Sequence, residues 1–254
     1  MPSPSIFESA SPDLPLLAFV DLDDSLFRSE RKAKGPLGRP VTVRQDGRPY
    51  SYMGPVQERL WSALLATADH VIPTTARTLD AFRRVDLRFE SWAILSLGAV
   101  ILTPEGEADP DWEAEVTRRL AALDEGVQTL AARLRRQVPG LDPRVVEDFG
   151  RGVYLSLRPE ADQPSIEAAL ERLLPAVEPL VPPDWVLSPH ERDAVLRPRA
   201  LGKAEALRWL REVRLPGPAL TVGLGDRGDD LDFMAECDYA LTPTGSQIFT
   251  ELRR

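Results

Sequence analysis

The stretch FVDLDDSLF at residues 19–27 joins the end of an apolar run to three carboxylates, those of Asp21, Asp23 and Asp24. The run itself, LPLLAFV at residues 14–20, is almost wholly apolar. Strands that helices cover on both faces of a parallel sheet have this composition, whereas half-exposed strands alternate apolar and polar residues. The run therefore predicts a central strand of an α/β sheet, with the carboxylates at its carboxyl end.

The composition limits the class of protein and its partners. The 254 residues are 43% hydrophobic and 28% charged, which suits one large domain or a core domain with a smaller insert. A net charge of −9 argues against nucleic acid and against a membrane surface as partners, because an acidic protein repels both. Cys237 is the one cysteine, so no internal disulfide can form and a reducing compartment is favoured. We therefore expect a cytoplasmic protein, with an oligomeric state that the sequence does not predict.

The hydrophobic pattern divides the chain into an α/β part and an inserted α+β part. Residues 1–13, rich in Pro and Ser, predict a flexible tail. Short apolar strands and helical stripes occupy residues 14–103 and resume at residues 199–254, which predicts one core domain. Residues 104–198 predict an antiparallel sheet with helices on one face, beginning with a single long helix over residues 111–138.

Two local features bear on the strands of the core. Asp46-Gly47 is a strong hairpin-turn signal between the β-forming residues of the segment 41–53. Pro73 interrupts the apolar run HVIP at residues 70–73, and a proline cannot donate to the hydrogen-bond ladder of a central strand.

Polar groups of a matched kind stand at the ends of the predicted strands or at the start of a helix. They are Asp21, Asp23 and Asp24 after LLAFV, Thr74 and Thr75 after HVIP, Lys203 at the helix after the insert, and Asp226, Asp229 and Asp230 after ALTV. Ligands of open α/β sheets bind at this edge of the sheet. Two acidic clusters would repel each other there without a cation, and oxygen ligands suit Mg²⁺. The pattern predicts a Mg²⁺ site that also binds phosphate.

Taken in order, these segments resemble the four motifs of the haloacid dehalogenase (HAD) superfamily phosphatases. The four segments are FVDLDDSLF, TTAR, RALGKAEAL and GLGDRGDDLDFM. The insert lies where that superfamily places its C2-type cap, and the chain is most similar to the Cof-like and sucrose-phosphate-phosphatase-like members. One such motif is weak, whereas four in the right order are specific, and the resemblance covers the chain from Leu14 onward. It implies a Rossmann-like three-layer α/β/α core with an inserted α+β C2 cap at residues 104–198.

The resemblance also implies catalytic roles. Asp21 would be the nucleophile that forms an aspartyl-phosphate. Asp23 would protonate the leaving oxygen and then activate water. Thr75 and Lys203 would bind the phosphoryl oxygens, with Thr74 as the alternative to Thr75.

The metal ligands follow from the same resemblance. Mg²⁺ would bind Asp21, the backbone carbonyl of Asp23, and Asp226, while Asp230 and Asp229 would hold its waters. Ser25 stands where the family usually has Thr, and Asp24 where this subfamily often has Gly. Neither departure removes a catalytic group.

The implied function is that of a Mg²⁺-dependent phosphomonoester hydrolase acting on a small phosphorylated metabolite such as a sugar phosphate. Two alternatives stay open. A phosphomutase of the same fold would return the phosphoryl group to its substrate, and a catalytically silent member would bind a phosphorylated ligand and regulate a partner. His190, in a predicted turn of the cap, is expected to be an exposed or structural residue.

Overall fold

The computed structural model describes residues 14–33, 35–160 and 164–253, so the tail predicted at residues 1–13 lies outside the described part. This part of the chain forms 13 strands and eight α-helices. The strands are β1 (Leu16–Val20), β2 (Arg28–Ser29), β3 (Arg39–Val43), β4 (Pro49–Met53), β5 (His70–Pro73), β6 (Ala93–Leu95), β7 (Val100–Leu102), β8 (Leu141–Asp148), β9 (Arg151–Pro159), β10 (Trp185–Pro189), β11 (Ala194–Pro198), β12 (Leu220–Leu224) and β13 (Tyr239–Leu241). The helices are α1 (Pro55–Thr67), α2 (Leu79–Phe82), α3 (Pro110–Ala121), α4 (Val127–Gln137), α5 (Ile166–Val177), α6 (Lys203–Val213), α7 (Leu231–Met234) and α8 (Gln247–Glu251).

The centre of the core is a parallel sheet in the order β13-β12-β1-β5. Strand β1 pairs with β12 on one side and with β5 on the other, so it has no free edge. Leu17 and Phe19 pack into a cluster that includes buried residues of α6 and α7, whereas Ala18 and Val20 pack into another that includes Trp61 of α1. Alternate residues of β1 therefore point into apolar clusters on opposite faces, which confirms the predicted central strand of an α/β sheet.

Pro73 is tolerated because β5 lies at the edge of this sheet. Thr74 donates its backbone N–H to Val20 O at 2.8 Å, toward β1, so the nitrogen of Pro73 points the other way. On that outer side the next contact is made by the N–H of Thr75, which donates to Ile94 O in β6 at 2.9 Å. The proline thus removes no bond to β1, as is usual for proline on edge strands.

The predicted hairpin at residues 41–53 is confirmed. Strands β3 and β4 pair antiparallel, and β2 extends this small sheet on the other side of β4. Gly47 adopts a φ of +79° in the turn, and Asp46 Oδ1 accepts the N–H of Arg48 at 3.0 Å. The sheet β2-β4-β3 is called the flap below, because several of its residues line the cavity described in the next subsection.

The insert contains a second sheet, antiparallel and in the order β10-β11-β9-β8. The buried side chains of α4 and α5 pack on one of its faces, where they meet Leu141, Leu155 and Leu157. The predicted strand pairs at both ends of α5 are therefore present, with helices on one face as expected for an α+β unit. The boundaries at residues 103/104 and 198/199 stay a prediction. No helix in the described ranges is both long and apolar enough to cross a membrane.

The single helix expected over residues 111–138 is wrong, because the chain forms α3 and α4 with a break between them. The two helices pack into different apolar clusters. Trp112 of α3 packs beside Trp209 of α6, with 5.2 Å between ring centroids. Leu130 and Leu134 of α4 lie instead in the apolar cluster between the second sheet and its helices. The apolar stripe is continuous in sequence but must face two surfaces, so the helix is interrupted and restarts after Gly126.

Gly98 packs directly against the segment that precedes α6. Its φ is +92°, and a Cβ atom at this position would stand 2.0 Å from the carbonyl oxygen of Gly202, one residue before Lys203. A side chain here would therefore both strain the backbone and displace the start of α6.

We predict that Gly98→Ala lowers the free energy of unfolding by about 2–4 kcal/mol, the sum of a left-handed backbone and an overpacked contact. Urea denaturation would measure it. Gly106→Ala is the matched control, since Gly106 has a φ of +83° and nothing within 4 Å of the added Cβ atom. The control should lose only about 1–2 kcal/mol. Equal losses in the two variants would show that contact with Gly202 is unimportant.

Candidate active site

Three carboxylates meet at the carboxyl ends of β1 and β12. Asp21 follows β1 directly, Asp226 follows β12, and Asp230 lies in the short 3₁₀ turn that precedes α7. One oxygen of each lies within 4.8 Å of one oxygen of the others, and all three residues are buried. The structure thus brings together the three acids that the sequence placed at separate points of the chain.

Lys203 lies against this acidic cluster at the first residue of α6. Its Nζ atom donates to Asp21 Oδ1 at 2.8 Å and to Asp230 Oδ1 at 2.6 Å. Burial alone would lower the pKa of Lys203, but the charges of Asp21 and Asp230 outweigh this effect and raise that pKa. The lysine therefore remains an ammonium, and it offsets one of the three negative charges.

The remaining negative charge of the cluster, together with burial, raises the pKa values of Asp21 and Asp226. Burial, with Asp230 nearby, raises the pKa of Asp226 to about 7. Burial also raises the pKa of Asp21 well above its usual value, opposed by Lys203 and reinforced by Asp230 and Asp226. Carboxylates that crowd together out of water in this way either hold protons or hold a cation. The oxygen-only donor set fits a hard divalent ion.

Asp230 is largely committed to contacts with the protein. Its Oδ2 atom accepts the backbone N–H groups of Asp226 and Arg227, both at 3.1 Å, while Oδ1 accepts from Lys203. Ser25 lies between the other two acids, with its Oγ atom 3.1 Å from Asp21 Oδ2 and 3.4 Å from Asp226 Oδ1. The hydroxyl of Ser25 therefore links the first and fourth motifs.

Asp23 lies outside the acidic cluster, and its carboxylate faces an arginine. Arg77 donates from Nε to Asp23 Oδ2 and from a terminal nitrogen to Asp23 Oδ1, both at 2.7 Å. Arg77 also donates to the carbonyl of Ala81 at 3.2 Å and lies over the ring of Phe27. Burial opposes the charge of Arg77, but Asp23 beside it raises the pKa of the guanidinium. Asp21 and Asp23 nonetheless line the same cavity, as expected for residues two apart on an extended chain.

The structure distinguishes between the two threonines. Thr74 is fully buried and donates its hydroxyl to Ile72 O at 3.2 Å, away from the acids. Thr75 lines the cavity with Asp21 and Lys203, and its Oγ1 atom accepts the N–H of Arg77 at 3.2 Å. Of the two threonines, Thr75 is therefore the one that lines the cavity with the acids.

The cavity over these residues has a volume of about 960 Å³, and it is lined by the core, the flap and the cap. The cap reaches the core at several points. Tyr154 donates its hydroxyl to Ala76 O at 3.1 Å, and Ser96 donates to Asp148 at 2.6 Å. His190 Nε2 lies 3.6 Å from Asp229 Oδ2 in the fourth motif. The cap thus covers the strand ends that carry the acids.

His190 is not the exposed loop residue that the sequence suggested, since only 9% of its side chain is accessible. Burial lowers the pKa of the imidazole, and the charge of Asp229 opposes this effect. The other oxygen of Asp229, Oδ1, is buried and has no hydrogen-bond partner within the described ranges. The turn between β10 and β11 therefore brings a cap side chain to the fourth motif.

Sequence reasoning missed two groups around the site. Arg77 belongs to the TTAR segment, so its position directly after Thr75 and Ala76 was a usable signal. Arg227 likewise lies inside the fourth motif, directly after Asp226, but nothing in the sequence indicates its partner Asp24, which it contacts at 3.1 Å across 203 residues. Asp24 also pairs with Lys32 and has a φ of +68°, a left-handed conformation that explains a preference for Gly at this position.

No protein-family model matches the sequence, and no curated protein matches it either. Solved structures do match the fold. A sucrose-phosphatase from Synechocystis, in complex with sucrose and phosphate, is 14% identical with a TM-score of 0.55, and the match covers 94% of this chain and 96% of that one. A Thermoplasma acidophilum protein is 13% identical with a TM-score of 0.59, covering 94% and 89% of the two chains.

A third structure, an IMP-nucleotidase mutant from Plasmodium falciparum with bound IMP, is 14% identical with a TM-score of 0.53. It is matched over 94% of this chain and 66% of its own. Identities this low establish similarity of fold and leave the chemistry to the site. The predicted α/β fold class is confirmed, and the chain shares the fold of these structures, with a parallel α/β core and an inserted α+β unit.

Proposed function

We propose that this protein is a Mg²⁺-dependent phosphomonoester hydrolase that acts through an aspartyl-phosphate on a small phosphorylated metabolite. The observation that carries the proposal is the contact of Asp21 with Lys203 inside the acidic cluster, with Asp23 facing the same cavity. In this proposal Asp21 is the nucleophile, Lys203 a fixed positive charge and Asp23 a second carboxylate, and all three line one cavity.

Asp21 acts as the nucleophile on this proposal. One of its carboxylate oxygens attacks phosphorus, and the bond from phosphorus to the ester oxygen breaks. Asp23 gives its proton to the departing oxygen, and the alcohol leaves. Asp23, now a carboxylate, then takes a proton from a water that attacks phosphorus, and the bond to Asp21 breaks to release phosphate.

The phosphoryl oxygens are bound by Lys203 and Thr75. Lys203 supplies a point charge that suits a transition state with charge spread over three oxygens. Thr75 supplies a hydroxyl from the carboxyl end of β5, beside β1. In the ground state Lys203 is held by Asp21 and Asp230, so the ammonium is in place before the substrate arrives.

The residues present fit a divalent cation. Asp21, Asp226 and the backbone carbonyl of Asp23 would hold it, with Asp230 orienting its waters. A bound Mg²⁺ would supply positive charge that offsets the charge of the phosphoryl group and of Asp21. The raised pKa values of Asp21 and Asp226 support this assignment, because a cation relieves the crowding that raises them.

A sugar phosphate is the substrate class that we favour for this site. The structure of the sucrose-phosphatase, with which this chain shares its fold, contains sucrose and phosphate. The cavity of about 960 Å³ is near the upper end of the range for small-molecule sites, so it can take a leaving group of that size. A cytoplasmic location is proposed as well, on the sequence argument alone.

We predict Mg²⁺-dependent phosphate release from a panel of sugar and nucleotide monophosphates. Asp21→Asn should lower kcat by about 10³-fold or more, because an amide cannot displace the ester oxygen. Asp23→Asn should lower it by about 10²–10⁴-fold for loss of the general acid. Asp124→Asn, at an exposed position between α3 and α4, is the control and should keep wild-type activity.

Borohydride trapping tests the intermediate in the same samples, since reduction of an aspartyl-phosphate converts Asp21 to homoserine, which peptide mass spectrometry detects. Phosphate release without such trapping would point to direct attack by water. Trapping without release would point to a phosphomutase. Neither trapping nor release, in a folded protein that binds Mg²⁺, would favour a silent binder and end the proposal.

We predict that Arg77→Lys lowers kcat by about tenfold to a hundredfold, because an ammonium cannot hold both oxygens of Asp23 as the guanidinium fork does. Steady-state kinetics on the best substrate of the panel would measure it. Arg83→Lys makes the same chemical change on an exposed neighbour and should leave kcat at the wild-type value. Equal kinetics for the two variants would show that the fork does not position Asp23.

We predict that the metal-free protein loses stability as the pH rises toward neutral. Asp226 has a pKa of about 7 when folded and an ordinary acidic one when unfolded, so the folded state binds the extra proton between those values. The stabilisation is therefore present at low pH and lost as the pH passes 7, at about 1.4 kcal/mol per unit of pKa difference.

Mg²⁺ should stabilise the protein more at about pH 8 than at about pH 5.5, because the ion competes with the proton on Asp226. Thermal unfolding with and without Mg²⁺ would measure both effects. Asp226→Asn should flatten the pH dependence and remove the stabilisation by Mg²⁺. A Mg²⁺ effect independent of pH, or one kept in Asp226→Asn, would contradict the metal assignment.

A further inference from the structure

The outer part of the cavity is basic, although the chain as a whole carries a net charge of −9. Beyond the acids and cations of the four motifs, six arginines, Lys32 and three carboxylates line it. The arginines, called the outer arginine wall below, are Arg31, Arg44, Arg84, Arg144, Arg158 and Arg192. The carboxylates are Glu160, Glu191 and Asp193. Basic side chains thus outnumber acidic ones among the residues that line this part of the cavity.

The cap contributes its arginines from one face of its sheet. Arg144 of β8 is opposite Ser156 of β9, and Asp142 is opposite Arg158, so both arginines project from the same face. The other face carries Leu155 and its neighbours, which α4 and α5 cover. The face without helices is therefore the one that points into the cavity, and it is the face with the arginines.

The flap and the segment after α2 contribute arginines from the opposite side. The guanidinium of Arg44 lies 4.8 Å from the centroid of the Tyr50 ring, and within the described ranges no carboxylate lies within 4.0 Å of it. Val43 donates its N–H to Arg84 O at 3.2 Å, which places the backbones of Arg44 and Arg84 on the same flank. This flank is the one that holds Arg77 and Asp23, since Ala81 accepts from Arg77.

The two arginines of the cap sheet are separated along the strands from the point where the cap meets the core. Tyr154 of β9 touches Ala76, next to Thr75, and so marks the depth of the strand ends. Arg158 lies four residues further along β9, which advances about 13 Å along the strand. Arg144 is opposite Ser156, two residues beyond Tyr154, which is about 7 Å along the strand. A leaving group that extends from the phosphoryl group along β9 would reach both arginines.

We propose that the leaving group of the substrate carries an anionic group of its own, a carboxylate or a second phosphate, which the outer arginine wall binds. The inference rests on the proposed hydrolysis and specifies the substrate class of that site. Arginine suits this role because its planar fork matches both carboxylate and phosphate. Lys203 and Thr75 already bind the phosphoryl group in the proposed function, so the ligand that remains for the outer arginine wall is an anion of the leaving group.

The present partners of these arginines do not prevent such binding. Five of the six arginines pair with a carboxylate, and each of the side chains involved is at least 25% exposed. The pairs are Arg31 with Glu191, Arg84 with Asp80, Arg144 with Asp142, Arg158 with Asp193 and Arg192 with Glu167. Ion pairs in contact with water contribute little and exchange readily. A ligand that excludes water from the cavity would interact with the arginines more strongly than these partners do.

Equilibrium binding tests the proposal without requiring turnover. Calorimetric titration of the Asp21→Asn variant would compare esters that differ mainly in the anion, phosphoglycerate against glycerol phosphate and fructose bisphosphate against fructose phosphate. At constant ionic strength we expect the anionic member of at least one pair to bind about tenfold tighter or more, and the two pairs distinguish a carboxylate from a second phosphate. Similar binding within both pairs, or no binding of any ester, would overturn the proposal.

Two double variants in the same background separate the outer arginine wall from general charge. Arg144→Gln with Arg158→Gln should bring the ratio of the two dissociation constants close to one. Arg136→Gln with Arg172→Gln removes the same charge from exposed positions on α4 and α5, the helices on the far face of the cap sheet, and should keep the ratio. An equal fall of this ratio in both double variants would mean that the preference for the anionic ester reflects net charge alone. It would contradict binding by the outer arginine wall.

Hydrolysis by the wild-type protein keeps this proposal distinct from the proposed function. Tighter binding of the anionic esters without phosphate release from any ester would support the outer arginine wall and contradict the proposed hydrolase activity. Equal binding of anionic and uncharged esters, with phosphate release fastest from esters with uncharged leaving groups, would support the hydrolase activity and contradict binding by the outer arginine wall.

Discussion

The structure depends on keeping three carboxylates and one ammonium together out of water. Removing a charged group from water costs several kcal/mol, and only close partners offset that cost. Lys203 meets Asp21 and Asp230 directly, and the backbone N–H groups of Asp226 and Arg227 complete the partners of Asp230. The cluster still has more negative than positive charge, which is why the pKa values of Asp21 and Asp226 are raised. A cluster of this kind is unfavourable alone and becomes more favourable when a cation offsets its negative charge.

The fold holds these groups together although the cap interrupts the chain between them. Asp21 and Asp226 are placed by adjacent parallel strands, so their positions follow from the pairing of β1 with β12. Lys203 comes directly after the cap, and its position depends on close packing. Arg197 at the end of the cap donates to Leu201 O at 2.7 Å, and an added Cβ atom on Gly202 would clash with this arginine at 2.9 Å. With Gly98 against its carbonyl, Gly202 lets the chain turn into α6 at a point where an added Cβ atom would have to displace the side chains of Glu205 and Arg197.

The sequence predicts the position of the site best where charged residues directly follow an apolar strand. Acidic residues after a buried strand have few alternative explanations, so the order of the residues was enough to place Asp21 and Asp226 at the same sheet edge. The break between α3 and α4 could not be predicted in this way, because a continuous apolar stripe does not show that its two halves pack on different clusters. The fork between Arg77 and Asp23 and the pair of Arg227 with Asp24 depend on contacts across 54 and 203 residues. Such contacts have no local pattern.

The separation of core and cap has a consequence for specificity. The residues that would handle phosphate are fixed by the parallel sheet and by buried charge, so a change in any of them affects both folding and chemistry. The cap has an apolar cluster of its own under α4 and α5, and its other face carries half-exposed arginines that contribute little to its packing. Side chains on that face can therefore change without loss of the core, whereas the acids at the strand ends cannot. On this argument the reaction type is constrained by the buried cluster, and the choice of leaving group is set by a surface that is free to vary.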